Sequence, residues 1–390
     1  MKVICDRAAL LDAINLVSGV VSARTPRPQL TCVKVTATRD GGAGELQLAA
    51  TDAEISLTLA LGQVSVEEPG EALIPAATLR QIVSAEEHEP SLTLESDGDI
   101  CHIRGQDAHF QLHGFPPAEF PRLPEFDAIV QGKGGQPPAK AVFTQSAGTL
   151  SQLISRTVFA TARENSRYAI NGVLVKRDGK RLELVATDGR RLALSRAQLG
   201  DAGGEPVTCI VPTKALNTLQ KLIEDADEPV TLAITDNQIV FRFGDGDDES
   251  RAVLSSNLVE GTFPPYEDVI PKDQDIKVTF DRDVLASAVR RAALLTNEES
   301  RGVRMSFASG EKRLKLSSRA PEMGEATVTV DLAGMDGGDI EIGFNPAFLT
   351  DALKVISDPS VVMELKAPNK PGLFKSGQDF VYVVMPVNLQ

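Results

Sequence analysis

The clearest pattern in the chain is an alternation of apolar and polar positions interrupted by a Thr-Asp pair. From Leu182 to Leu194 the residues read Leu-Glu-Leu-Val-Ala-Thr-Asp-Gly-Arg-Arg-Leu-Ala-Leu. Two period-two runs around Asp188-Gly189 predict a β-hairpin, because glycine takes a positive φ without steric cost. Leu46 to Leu59 carries the same pattern, with Thr51-Asp52 in the place of Thr187-Asp188. The two Thr-Asp pairs lie 136 positions apart. A repeat of that length is a whole domain rather than a solenoid unit.

Helical spacing recurs at the same interval. Leu10, Leu11, Ile14 and Val17 predict a helix from about Arg7; Leu150, Leu153, Ile154 and Val158 predict a second, and Val284, Leu285, Ala288, Val289 and Ala292 a third. Each is followed later by a Pro-led helix with its proline in the first turn, at Pro75, Pro212 and Pro346. Strands are expected near residues 31–38, 45–50, 54–61, 91–94 and 100–112, with the equivalent strands in the later rounds. The Pro-rich stretch 115–124 reads as an extended exit, and residues 131–138 as a linker. The chain therefore divides into three copies of one α+β unit, each with two helices and several antiparallel strands, at residues 1–128, 139–271 and 272–390.

Composition narrows the function. With 42% hydrophobic and 24% charged residues the chain is of ordinary globular type. No apolar run reaches the roughly 18–20 residues of a membrane span. The polar start Met-Lys-Val-Ile-Cys-Asp-Arg shows no secretory signal, and Cys5, Cys32, Cys101 and Cys209 are spread as reduced, buried thiols would be, so a cytoplasmic location is expected. A net charge of −14 argues against a uniformly basic surface. The positive residues nevertheless gather on the predicted helices, as Arg7, Arg156, Arg163, Arg282, Arg290 and Arg291 on the first kind, and Arg80, Lys214, Lys221 and Lys354 on the second. Acidic residues gather in turns. Helices of like kind facing one axis would make a basic inner wall for a sequence-independent duplex contact. Charge alone favours the reading of solvated helix faces.

Motifs for catalysis are missing. Gly132-Lys133 lacks the Ser/Thr of a phosphate loop. Asp245 to Ser250 begins like a calcium loop and then places Ser250 where glycine is required. His109 and His113 share a predicted strand but stand about 13 Å apart, too far to chelate one ion. Adjoining Cys101 and His102 point to opposite faces. No enzyme activity, cofactor or metal is expected.

Several motifs in register then identify a resemblance. Ala186 to Ala193, Arg167 to Val173, Phe263-Pro-Pro-Tyr266, Asn297-Glu298 with Arg301 to Arg304, Ile342 to Asn345, and Tyr382 to Val387 together resemble the bacterial DNA polymerase III beta subunit, the sliding clamp, over the whole chain. The resemblance implies three clamp-type domains, and a head-to-tail homodimer closed as a ring around double-stranded DNA. It implies partners that dock by a short apolar motif: the replicative polymerase catalytic subunit, the clamp loader and other clamp-binding proteins. The pocket it implies is lined by Ile170, Thr187, Gly189, Arg190, Arg191 and Leu192, by Pro264 and Val269, and by Val384, Met385, Pro386, Val387 and Leu389 of the tail. Arg190 and Arg191 would hold polar or acidic parts of the peptide. Arg24, Arg167 and Tyr168 are carried over as DNA-facing, beside Arg80 and Lys214 from the helix pattern. Phe110 and Leu112 would meet Leu294 and Leu295 at the subunit seam. Asp268, Ala169 and Asn388 depart from the family pattern, which bears on peptide preference. The competing reading is a triplicated scaffold that binds peptides without encircling DNA.

Overall fold

The computed structural model describes the chain apart from residues 23, 41–42, 134–136, 163–168, 201–204, 245–249, 297–301 and 389–390, and apart from the side chains of 40, 43 and 63. Arg167, Tyr168 and Leu389 thus lie outside the described residues. Among the described residues there are seven α-helices: α1 (Arg7–Ser18), α2 (Ala76–Ala85), α3 (Phe126–Gln131), α4 (Ala147–Ser155), α5 (Thr213–Leu222), α6 (Arg282–Ala292) and α7 (Pro346–Val355). Six are the pairs that the periodicity predicts. The short α3, between the Pro-rich exit and the linker, is not among the expected helices; Phe126 and Ile129 bury it against Ala233 and Val240. Pro346 does open its helix, whereas Pro75 and Pro212 end the preceding strands Gly70–Pro75 and Val207–Pro212. The stretch read as one strand from 100 to 112 is a hairpin, Ile100–Arg104 with His109–His113.

Packing groups the chain into two compact units that do not coincide with the three repeats: residues 1–151, 200–207 and 214–258, and residues 152–199, 208–213 and 259–390. The cause is a sheet edge shared across each repeat boundary. In the first unit the long strand Ile55–Glu68 pairs with Ala43–Thr51 along most of its length. Its other edge is split between Lys2–Asp6 and the middle repeat's Ala252–Asn257. A twelve-stranded sheet results, ending in His109–His113 at one side and Ala141–Ser146 at the other. Helices α1 and α2 pack together, and α1 lies on strands of this sheet, burying Leu10, Ala13, Ile14 and Val17.

In the second unit the middle repeat's hairpin joins the chain's last strand. Arg191–Gln198 pairs with Phe380–Val384 inside a nine-stranded sheet. A separate four-stranded sheet runs from Gly324–Asp331 to Ile340–Phe344. Helix α6 packs on α7 and on the edge strand Gly324–Asp331.

Helix ends repeat as well. Asp6 Oδ1 accepts from Ala9 N at 2.8 Å to cap α1, and Asp281 Oδ1 accepts from Val284 N at 2.9 Å to cap α6. The next residue in each case is an arginine that caps the partner helix. Arg7 Nη1 donates to Val83 O at 3.5 Å and Arg282 Nη1 to Ile356 O at 2.8 Å. The middle repeat has Ala147 at this place, and Arg251 supplies the bond instead, donating to Leu222 O at 2.6 Å.

Candidate functional site: the Thr-Asp hairpin and the terminal strand

The two Thr-Asp turns are built from the same bonds. Thr187 Oγ1 donates to Arg191 O at 2.7 Å and accepts from Gly189 N at 3.1 Å; Asp188 Oδ1 accepts from Arg190 N at 2.9 Å and Arg191 N at 3.1 Å. At the earlier turn Thr51 Oγ1 donates to Ile55 O at 2.8 Å and accepts from Ala53 N at 3.0 Å, while Asp52 Oδ1 accepts from Glu54 N at 2.9 Å and Ile55 N at 2.8 Å. Both need a left-handed residue after the aspartate. Gly189 holds φ at 85° at one turn, and Ala53 holds it at 78° at the other.

The two arginines after Gly189 have separate fates. Arg191, with 10% of its side chain exposed, turns into the fold. Its Nε donates to Asp188 Oδ2 at 3.1 Å, Nη1 to Asp351 Oδ2 at 2.8 Å and Nη2 to Phe159 O at 2.7 Å. Its guanidinium also stacks 4.4 Å from the Phe348 ring. It ties the turn to α7 and to the Val158–Ala160 turn, which commits three of its five N–H groups within the fold. Arg190 is exposed, and among the described residues its side chain makes no bond.

Register fixes what shares a face. Thr187, Leu192, Val383 and Leu373 lie opposite one another across four adjacent strands, forming one row. Val185, Leu194 and Val381 form the next row. This face is covered by Ala169, Ile210 and Tyr266, with Val259, Phe263 and Ile270 packed against it. Val384 pairs with Arg191, so it belongs to the opposite face, that of α7, together with Tyr382. Val383 is therefore the valine that joins Leu192, and sequence reasoning named its neighbour. The Val-Val pair shows the period of two, but only the pairing with Arg191–Gln198 tells which member faces which way.

Beyond Val384 the chain runs along the turn. Met385 N donates to Arg190 O at 2.9 Å, and Val387 N donates to Gly343 O at 2.8 Å, leaving Pro386 half-buried between them. Met385 is 43% exposed and Val269 is 54% exposed. Ile170 is buried and Pro264 half-buried. Asp268 and Asn388 are exposed.

The other predicted residues are distributed as follows. Arg24 and Arg80 are exposed and carry no side-chain bond among the described residues, as is true of Lys221, Arg290, Arg291 and Lys354. Lys214 is not free: its Nζ pairs with Asp52 Oδ2 and donates to Val20 O at 3.2 Å. Burial alone would raise the Asp52 carboxyl, but the Lys214 bond, the backbone donors of Ile55 and Glu54 and the Lys214 charge hold it below the usual carboxylate range. Arg156 is buried, with its guanidinium 5.5 Å from the Phe380 ring. Phe110 and Leu112 are half-buried on the edge strand His109–His113. Leu294 is 71% exposed, and the turn carrying it and Leu295 packs on the edge strand Gly324–Asp331. All four cysteines are free and buried, and burial pushes the thiols of Cys5, Cys101 and Cys209 up to about 12.

Models of the N-terminal, central and C-terminal domains of the DNA polymerase III beta subunit match residues 1–124, 145–265 and 267–388 in turn. The beta sliding clamp of Escherichia coli (strain K12) is 31% identical over the full length of both chains. The chain belongs to the DNA polymerase III beta subunit family. The solved beta subunits agree with this in three dimensions. A Pseudomonas aeruginosa sliding clamp bound to griselimycin superposes with a TM-score of 0.88 at 32% identity, and one from Bacillus subtilis with 0.88 at 26%, each covering 100% of both chains. The beta subunit is a sliding clamp, a processivity subunit of DNA replication rather than an enzyme, and this chain carries that role.

Proposed function

We propose that two copies of this beta subunit close head to tail around double-stranded DNA, and that the hairpin face beside the terminal strand receives the clamp-binding motifs of its partners. Those partners are the replicative polymerase catalytic subunit, the clamp loader and other proteins bearing the motif, all in the cytoplasm. The three clamp domains are assigned to residues 1–128, 139–271 and 272–390, six per ring. The observation that carries the docking reading is the meeting of an unbonded cation, Arg190, with exposed Met385 at the strand end next to the paired Leu192 and Val383. Val269, next to Ile270 of that apolar cluster, extends the exposed apolar surface. A relative of 32% identity holding griselimycin supports a ligand-accepting surface on this scaffold.

The DNA reading is supported by exposed Arg24, Arg80, Arg290, Arg291, Lys221 and Lys354, which make no internal bonds among the described residues. A few phosphate contacts suffice when retention is topological, and they leave the ring free to slide. The scaffold alternative is disfavoured by the family match along the whole chain. No helix among the described residues is long and apolar enough to cross a membrane.

Retention on nicked circular DNA, followed by linearisation, tests the ring. The clamp should stay on the circle and be lost from the linear form, and equal retention on both refutes encirclement. For the pocket, anisotropy with a labelled clamp-binding peptide should show at least tenfold weaker binding in Arg190→Ala and on deletion of residues 386–390. Unchanged affinity in both would remove the assignment.

A further inference from the structure

The Ile100–Arg104 and His109–His113 hairpin carries three of the chain's four histidines. Its register puts Cys101 opposite Leu112 and Ile103 opposite Phe110, which gives one apolar face. The other face carries Arg104 opposite His109 and His102 opposite Gln111, so His102 and His109 are diagonal neighbours on it. His102 Nδ1 and His109 Nε2 stand 3.0 Å apart, with ring centroids at 5.1 Å and planes tilted by 35°. In the metal-free protein one imidazole N–H donates to the other ring's lone pair. The pair is open to solvent: His102 is half-buried and His109 exposed.

Two nitrogens bound to one transition-metal ion at about 2.0–2.1 Å must lie roughly 3 Å apart. The observed separation meets that requirement, and ring rotation then aims both lone pairs at a shared point. Glu95 lies opposite His102 on the neighbouring strand Ser91–Asp97. Its carboxylate contacts Arg104 Nε at 3.5 Å and does not gather with the two imidazole nitrogens within reach of one ion. We propose that His102 and His109 bind a divalent transition-metal ion of the imidazole-preferring kind, such as Zn²⁺ or Ni²⁺, with solvent completing its coordination. His113, opposite Ile100 at the far end of the strand, takes no part. The all-oxygen group Glu86, Glu89 and Asp107 is suited to harder ions and is not the site.

Calorimetric titration of the metal-free full-length chain with ZnCl₂, with histidine ring resonances recorded in parallel, tests this. One ion per chain is expected, shifting the signals of two histidines together. His102→Gln and His109→Gln should each weaken binding at least tenfold, while His88→Gln, His113→Gln and Glu86→Gln leave it unchanged. MgCl₂ should move neither ring. The proposal fails if the wild type binds no zinc, if either of the first two variants binds as the wild type does, or if binding follows His113, His88 or Glu86. Should a glutamine variant lose the fold, the identity of the shifted ring signals in the wild type decides the matter.

Discussion

Arg190 and Arg191 show how far side-chain chemistry follows from residue type. Both are arginines after the same glycine, and the sequence offers no reason to treat them differently. In the fold one is a rivet and the other is free. Arg191→Ala leaves Asp188 and Asp351 without their shared cation, strips a donor from Phe159 O and removes the stack on Phe348. It should cost about 3 kcal/mol in denaturant unfolding, whereas Arg190→Ala should stay within about 0.5 kcal/mol. The twin turn gives a second expectation. Ala53 takes the left-handed backbone that Gly189 takes without strain. Ala53→Gly should therefore stabilise the fold by about 0.5–1 kcal/mol, read as a raised unfolding midpoint. The turn itself was legible in Thr51-Asp52 and Thr187-Asp188, because side-chain bonds to nearby backbone are local. The partner of each free face was not, since it depends on strands nearly two hundred residues away.

Helices and their pairing were legible for the same reason, with apolar spacing and capping residues acting within a few turns. The misreadings fall where tertiary packing decides. Phe126 and Ile129 make a helix only because a sheet waits beneath them. The turn between Arg104 and His109 is the exception, since Gly105 and Asp107 are turn formers that the single-strand reading passes over. The proposed role of Lys214 on DNA is likewise complicated by a partner that helix spacing does not reveal. Helix α5 is tethered at its first turn by Lys214 to Asp52. The Asp52 carboxyl titrates below its ordinary value in the folded chain, so this tether contributes stability above about pH 4 and loses it as pH falls through the depressed value. In Lys214→Met the stability at neutral pH should be lower and the fall below about pH 4 shallower, because the Asp52 carboxyl is then no longer held down by that cation. A series of unfolding midpoints from neutral pH downward checks this, and superimposable profiles for the two proteins would remove the linkage.

At the scale of the assembled molecule the informative residues are those left uncovered. Phe110 and Leu112 sit on one sheet's terminal strand, and Leu294, with Met323 53% exposed, sits beside another's. If these edges meet between two copies, Leu294→Asp buries a charge in the seam. Sedimentation should then show a shift from dimer to monomer at micromolar concentration, with the monomer's circular dichroism unchanged. A dimer unaffected by Leu294→Asp would move the seam elsewhere. The threefold sequence repeat announced the architecture, while packing groups the chain into two units, because Ile55–Glu68 and Arg191–Gln198 each take a neighbour from the adjoining repeat. Cutting the gene at a repeat boundary separates paired strands. A fragment stopping near residue 271 would bare the edge of Arg191–Gln198 that pairs with Phe380–Val384, a template for fibrous self-association. A lone copy of the unit would have to close that border by another means.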